Sequence, residues 1–374
     1  MTTNNPPSQT DKQLFKKQRS SNLELYRIIC MLMIVAGHYV FNGGLFKTGG
    51  VLTQDFYSAN SIYLSLAGVW GKTGINCFMM ITGYFMCTSK ITLRKFVKLM
   101  GQIYLYRWLI FGIFYVAGNE TLNTQRLIKL IMPFWNITDG FTPCYIVFWL
   151  TIPFWTILVQ NINKRQHQLL LILLVGIYTV LGSIPSFQIR FNYVTWFGVL
   201  FLIASYIRLY PHLVFNRKNL WGWLTLSTLS LAFLSIMSLR LIFHNSGYFF
   251  VIDCNKIFAV AVAICSFLWF KNMNIKFCKL INAFGAGTFG VLLIHSNSEA
   301  MRFWLWDNIV DVIGHYSLSI EFLIIYHLGV TFVIFIICNL IDQLRIATIE
   351  KWILNCYDKQ VAGKADAWIQ RFTK

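Results

Sequence analysis

The chain has 374 residues, of which 56% are hydrophobic and 12% are charged, and its formal net charge at pH 7 is +18. So much apolar side-chain area excludes an ordinary soluble domain, which could not cover it with a polar exterior. The apolar runs are continuous rather than alternating, which excludes a membrane β-barrel and predicts an all-α, polytopic bundle of membrane helices.

The N-terminal residues 1–20 are polar and basic, and we expect a disordered tail there rather than a cleavable signal peptide. A hydropathy window of membrane length then predicts about ten spans. Their approximate positions are 23–44, 69–88, 99–118, 141–160, 168–184, 193–209, 220–241, 254–270, 281–303 and 320–341. The second span is the weakest, because Lys72 and several glycines interrupt it.

One transmembrane domain, residues 21–344, therefore accounts for most of the chain. Residues 345–374 mix isoleucine and tryptophan with lysine and arginine. This mixture predicts an amphipathic cytoplasmic tail that lies on the inner leaflet.

The basic residues predict the orientation of the bundle. With the N-terminus inside, 24 of the 32 basic residues and six of the 14 acidic residues fall on the inner side, which then carries the whole net charge. The positive-inside rule therefore predicts that both termini are cytoplasmic in a multi-pass protein of the plasma membrane.

Neither nucleic acid nor a metal is indicated as a partner. The positive charge is spread over several loops next to spans, as contact with anionic membrane lipids requires, and forms no basic stripe. The nine cysteines fall mostly in apolar runs without the spacing of metal ligands. The sequence leaves the oligomeric state open.

Two polar residues of the first span lie on one stripe. Arg27 and His38 are 11 residues apart, which in a helix is about three turns and a rise of about 16 Å. We expect Arg27 at the inner boundary and His38 near the middle of the membrane. Taken singly, Arg27 fits a snorkelling arginine and His38 a packed histidine, but the aligned pair favours a function.

The chemistry of this pair suits group transfer. A neutral histidine is well suited to take a proton from a hydroxyl near pH 7. The planar guanidinium of arginine binds phosphate well. A donor that carries phosphate could therefore lie at Arg27, with a base deeper in the bundle at His38.

Three segments resemble the acyltransferase-3 family of integral-membrane O-acyltransferases. The first is SNLELYRIICMLMIVAGH at Ser21–His38, with an arginine, ten intervening residues and a histidine. The second is CFMMITGYFMCTSKITLRKFVKL at Cys77–Leu99, and the third is GAGTFGVLLIHSNSEAMRFWLW at Gly285–Trp306. Their order and spacing carry the resemblance, which extends over most of residues 20–340.

The resemblance implies a donor and an acceptor. The donor is acetyl-CoA bound from the cytoplasm as a co-substrate, with no bound cofactor, and the acceptor is a hydroxyl of a surface or lipid-linked polysaccharide. His38 is then the general base and Arg27 lies at the donor. Lys95 and Lys98, which stand where the family commonly has arginines, would hold CoA phosphates by charge without bidentate geometry.

Other polar residues in the spans have two interpretations each. His295 and Glu299, one turn apart, line the acceptor cavity or form packing hydrogen bonds. Asn76 belongs to the acceptor site, and Thr82, which replaces the family's serine, supports that site. Alternatively, both residues form hydrogen bonds that link helices. Glu24 pairs with Arg27 and supports it. Arg107 binds the donor or snorkels. These residues lie in spans or at their ends.

Two other functions remain open at this point. A transporter or flippase of a glycan or lipid intermediate would use the same cations to bind phosphate, although neither internal repeats nor paired broken helices are evident. A membrane sensor or scaffold is the third possibility. Stabilisation by CoA would distinguish an acyltransferase from a flippase.

Overall fold

The computed structural model describes residues 20–135, 137, 140–187 and 189–361, and these residues form helices and loops without any strand. Most of the predicted N-terminal tail therefore lies outside the described residues, as does the last part of the C-terminal tail. The helices are α1 (Ser21–Asn42), α2 (Val51–Gln54), α3 (Ala59–Ala67), α4 (Trp70–Met86), α5 (Leu93–Val116), α6 (Thr124–Ile131), α7 (Phe141–Asn161), α8 (Lys164–Val175), α9 (Tyr193–Leu209), α10 (Lys218–Phe243), α11 (Ile257–Lys271), α12 (Lys279–His295), α13 (Glu299–Phe303), α14 (Ile320–Ala347) and α15 (Ile349–Gln360).

Each of the ten predicted spans coincides with a helix, but the helices differ in length. Within the described part of the chain, six helical segments are long and apolar enough to cross a membrane. They are Ser21–Asn42, Leu93–Val116, Phe141–Asn161, Lys164–Ser183, Lys218–Phe243 and Ile320–Gln360. Helices α9, α11 and α12 are apolar but shorter, so ten crossings remain a prediction.

The predicted span 281–303 is interrupted, which corrects the sequence interpretation. Helix α12 ends at His295, and the Ser298 side chain accepts a hydrogen bond from the Met301 amide to cap a new helix, α13. Serine is a good N-cap residue because its hydroxyl satisfies an amide that the first helical turn leaves unpaired. Near the C-terminus, α14 runs to Ala347, three residues beyond the predicted domain boundary at 344, before the chain turns into α15.

Helix α1 lies in the centre of the bundle and packs against α4, α11, α12 and α14. One close approach is at Gly37, where an added Cβ would lie 2.6 Å from the backbone nitrogen of Gly71 on α4. Two glycines facing each other let the helix backbones touch, as is common between membrane helices. Gly290 of α12 allows a similar approach, because an added Cβ there would overlap the Asp342 side chain of α14.

The bundle has two distinct ends. We call the end where α1 begins the proximal end and the end where α1 finishes the distal end. At the proximal end, Ser21 donates to Asn282 of α12 over 3.2 Å. At the distal end, the buried Arg240 of α10 donates to the carbonyl oxygens of Leu52 and Asp55, which fixes the loop after α1.

Candidate active site

The last turns of two parallel helices bring two histidines together. His38 of α1 and His295 of α12 lie 3.0 Å apart, from His38 Nδ1 to His295 Nε2. His295 is fully buried, whereas His38 is partly exposed. Because α1 begins at Ser21, Arg27 lies about 9 Å inside the helix and His38 lies nearer the distal end than the mid-membrane position expected from the sequence.

The hydrogen bonds determine which nitrogen of each ring carries a proton. His295 Nδ1 lies 2.6 Å from the Val291 carbonyl oxygen, which can only accept, so this nitrogen donates. In the neutral ring, His295 Nε2 is then the acceptor, and His38 Nδ1 donates to it. The second nitrogen of His38, Nε2, therefore keeps its lone pair, as a base requires.

A cavity of about 560 Å³ opens at His38. It lies at the distal end, between the last turns of α1 and α12 and the first turns of α4, α7 and α9. Its lining residues are Ile34, His38, Phe41, Asn42, Gly71, Lys72, Ile75, Ile103, Arg107, Gly140, Phe141, Thr142, Pro143, Tyr193, Leu292, Leu293, Ser296, Asn297 and Arg302. The mixture of apolar walls and a few convergent polar groups is typical of a small-molecule site.

Asn42 is a polar group of this cavity that the sequence interpretation missed. It lies four residues after His38 on α1, hence on the same helix face. Its Nδ2 is buried and has no hydrogen-bond partner among the described residues. A buried amide donor without a partner is costly unless a ligand supplies the acceptor. The i, i+4 spacing from His38 is the sequence signal that could have identified it.

Arg27 does not line this cavity. Its Nη1 donates to Glu24 Oε1 over 3.0 Å, and its guanidinium lies 5.9 Å from the centre of the Phe85 ring. About a quarter of the Arg27 side chain is exposed, so the guanidinium remains accessible. The Glu24 pair expected from the sequence is therefore present, and it fixes the direction of Arg27.

The structure separates the cations expected at the donor. Lys95 donates to the Lys90 carbonyl oxygen over 2.6 Å, and Lys98 forms an ion pair with Glu350 of α15 over 2.5 Å. Arg107 lies away from them in the His38 cavity, where it donates to the carbonyl oxygens of Lys129 and Pro133. Along α5, Lys98 and Lys95 lie about 14 and 18 Å from Arg107, so the three cations do not form one cluster.

The residues expected at the acceptor are also spread. His295 lies behind His38 rather than in the cavity lining, and Glu299 is exposed at the start of α13. Asn76 is fully buried, accepting from Trp196 Nε1 over 2.9 Å and donating to the Cys254 carbonyl oxygen. These bonds join α4 to α9 and to the loop before α11.

Thr82 donates to the Phe78 carbonyl oxygen of its own helix over 3.2 Å, four residues back, and its side chain also hydrogen-bonds with Tyr145 of α7. Among the residues that the structure describes, no group of three His, Cys, Asp or Glu residues could hold a metal ion.

Sequence signals were weak for the remaining cavity residues. Lys72 was noticeable only as a charge that interrupts a weak span, and it donates to the Tyr193 hydroxyl across the cavity. Arg302 gave no signal, because its position depends on the break between α12 and α13. Both residues become neighbours of His38 only through the tertiary fold.

Comparison with known proteins supports the resemblance carried by the three motifs. A family model described as an acyltransferase domain matches residues 20–341. Comparisons with curated proteins and with solved structures return no match. The family match spans the helices from α1 to α14 and includes both histidines of the distal site. The chain therefore belongs to the acyltransferase-3 family.

Proposed function

We propose that this protein is an O-acetyltransferase of the plasma membrane, with its termini in the cytoplasm, that moves an acetyl group from acetyl-CoA to a hydroxyl of a surface or lipid-linked polysaccharide. Membership of the family supports acyl transfer in a membrane. The observation that carries the proposal is the oriented pair of His38 and His295 at the distal cavity.

His38 acts as the general base in this mechanism. Its Nε2 takes the proton of the acceptor hydroxyl while the hydroxyl oxygen attacks the thioester carbonyl carbon. The tetrahedral oxyanion then collapses, the carbon–sulfur bond breaks, and the CoA thiolate takes the proton back from His38. The products are the O-acetyl ester and free CoA. This sequence needs no acyl-enzyme intermediate.

Two neighbours of His38 have supporting roles. His295 accepts from His38 Nδ1 and so keeps the lone pair of Nε2 in position. Asn42 Nδ2, which lacks a partner, is the donor we assign to the oxyanion.

Arg27 lies about 16 Å along α1 from His38 and offers its accessible guanidinium to CoA phosphate. The pantetheine arm would then extend along the bundle towards His38.

The test is transfer of label from acetyl-labelled acetyl-CoA to a glycan by the purified protein. His38→Ala should lower the rate by about 10²–10⁴-fold, the usual contribution of a general base. His212→Ala, at an exposed histidine in the loop after α9, is the matched control and should keep the wild-type rate. Equal transfer by wild type and His38→Ala would remove His38 from the mechanism.

Two further measurements separate this function from its rivals. Acetyl-CoA or CoA should raise the Tm of the protein, which a flippase of glycan intermediates has no reason to show. Deletion of the gene should lower the O-acetyl content of surface glycans, which a sensor or scaffold would leave unchanged.

A further inference from the structure

The His38 cavity carries positive charge that no described carboxylate balances. Three cations line it, Lys72, Arg107 and Arg302, and among the described residues no aspartate or glutamate does. Within the described part of the chain, none of the three forms an ion pair. From the sequence, Arg107 was expected at the donor or as a snorkelling arginine, and Lys72 only as a charge that interrupts a weak span.

The partners of these cations are neutral or absent. Lys72 donates to the Tyr193 hydroxyl, and Arg107 donates to two backbone carbonyl oxygens. These bonds orient the side chains but leave the charges in place. Unbalanced cations that converge on a half-enclosed cavity favour an anionic ligand, because charges interact strongly where water is partly excluded.

A second cavity of about 170 Å³ continues the first. The two share Arg107, Pro143 and Asn297, and the second adds Arg126, Lys129 and the half-exposed Trp135 to the lining. Arg126 is paired with Glu120 over 2.5 Å, whereas Lys129 forms no ion pair with any described residue. Unpaired cations therefore continue from His38 into the second cavity.

Three acidic residues of the distal end are held elsewhere. Glu120 pairs with Arg126, Asp307 faces Lys47 at 3.9 Å, and Asp55 accepts from the Tyr316 hydroxyl over 2.6 Å. None of these carboxylates lines either cavity. These three carboxylates therefore do not offset the positive charge of the two cavities.

We propose that the acceptor is an anionic, hydroxyl-bearing polymer that binds across both cavities. Phosphodiester or carboxylate groups of successive units lie against Lys129 and Arg107 and against Lys72 and Arg302, so that a hydroxyl between them reaches His38. This inference rests on the proposed function and names its substrate class. A neutral glycan would leave the four cations without counter-charges.

The test measures binding in the absence of acetyl-CoA, so that it does not depend on turnover. Fluorescent oligomers of glycerol phosphate, galacturonic acid and N-acetylglucosamine are titrated against the purified protein at low and high salt. We expect an anionic oligomer to bind and the neutral one not to bind. The difference between the phosphate and uronate oligomers identifies the anionic group, and binding should weaken as salt rises.

Variants connect this binding to the two cavities. Arg302→Gln and Lys129→Gln should each weaken binding of the anionic oligomer about tenfold, as expected for loss of one charged contact. Arg302→Lys should restore part of the affinity. Lys47→Gln removes an exposed distal cation outside both cavities and is the matched control, with no change expected.

Several outcomes would overturn the inference. One is equal affinity for the neutral and anionic oligomers, and another is unchanged binding in both Gln variants. A third is a loss of CoA affinity without loss of oligomer affinity, which would assign the cations to the donor. His38-dependent acetyl transfer to a neutral glycan would reject the anionic acceptor and keep the proposed function. Binding of anionic oligomers without any acetyl transfer would keep the anionic ligand and reject the proposed function.

Discussion

At the residue scale, the site depends on a histidine that is buried behind another histidine. His295 gives its Nδ1 proton to the Val291 carbonyl oxygen and receives that of His38. It touches no cavity space, so it acts through His38 as a positioning residue. Its effect should therefore appear in kcat rather than in the binding of either substrate.

We expect His295→Leu to lower kcat by about 10–100-fold, because His38 keeps its imidazole but loses the acceptor that orients it. KM for the acceptor should change little. His295→Gln should recover part of the rate, since its amide oxygen can accept from His38 Nδ1. Steady-state kinetics of the three proteins provide the measurement, and a raised KM at wild-type kcat in the Leu variant would instead assign His295 to acceptor binding.

The sequence predicted Arg27 and His38 together because both lie on one helix, where spacing determines the face. It could not predict the ring contact between His38 and His295, which are 257 residues apart. Local periodicity says which face a residue occupies but not which helix packs against that face. Arg302 was missed for the same reason.

At the element scale, the approach of α1 to α4 determines how His38 faces Lys72. An added Cβ at Gly37 would lie 2.6 and 2.8 Å from backbone atoms of Gly71, which cannot rotate away as a side chain could. Gly37 directly precedes His38, and Gly71 directly precedes Lys72, and both of these following residues line the cavity. The glycine pair therefore acts on the width of the cavity as well as on packing.

Gly37→Ala should separate α1 from α4 and lower transfer activity by about tenfold or more, since small displacements of catalytic groups are costly. Labelled-acetyl transfer by the folded, detergent-purified variant gives the measurement. Gly112→Ala on α5 is the matched control, because an added Cβ there meets nothing within 4 Å. Wild-type activity in Gly37→Ala would mean that the helices accommodate the methyl group without moving the site.

Helix α15 is held to the bundle by a connected set of charges. Arg345 of α14 donates to Asp342 over 2.6 Å and to Glu350 of α15 over 2.7 Å, and Glu350 also pairs with Lys98 of α5. Tyr106 donates to Asp342 over 2.8 Å. Because its members have partners, this network fixes three helices at one point despite the cost of burying charge.

Glu350→Ala should destabilise the protein by about 1.5–3 kcal/mol, because Arg345 loses one of its two carboxylate partners and Lys98 loses its ion pair. Thermal unfolding in detergent should show a clearly lower Tm. Asp358→Ala, also on α15, breaks the exposed pair with Arg94 of α5 and should leave the Tm nearly unchanged, because exposed ion pairs contribute little. Equal Tm values for the two variants would argue against a structural role for the Glu350 network.

The elements were more predictable than the contacts between them. Continuous hydropathy predicted a helix at each of the ten spans, since a long apolar run has few alternatives in a membrane. It did not predict the end of α12 at His295, because the apolar run continues through Trp304 and Trp306 while the Ser298 cap starts a new helix. Hydropathy averages over a window and does not detect a single capping residue.

At the scale of the whole molecule, charge distribution determines the orientation that the proposed mechanism needs. In the proposed mechanism acetyl-CoA comes from the cytoplasm, which requires that the proximal end face the cytoplasm and that the His38 cavity open at the opposite end. The excess of basic residues in the predicted inner segments favours this arrangement. The native cysteines make it measurable, because the two that are not buried, Cys278 and Cys356, flank proximal segments.

A membrane-impermeant maleimide should therefore leave the wild-type protein unlabelled in intact cells and label it after permeabilisation. Lys47→Cys, at an exposed position of the distal end, should become labelled in intact cells, whereas Lys47→Ser should not. Labelling of the wild type before permeabilisation would reverse the predicted orientation. Acetyl-CoA would then have to reach the protein from the His38 end, where the unpaired cations of the two cavities would be its nearest phosphate ligands.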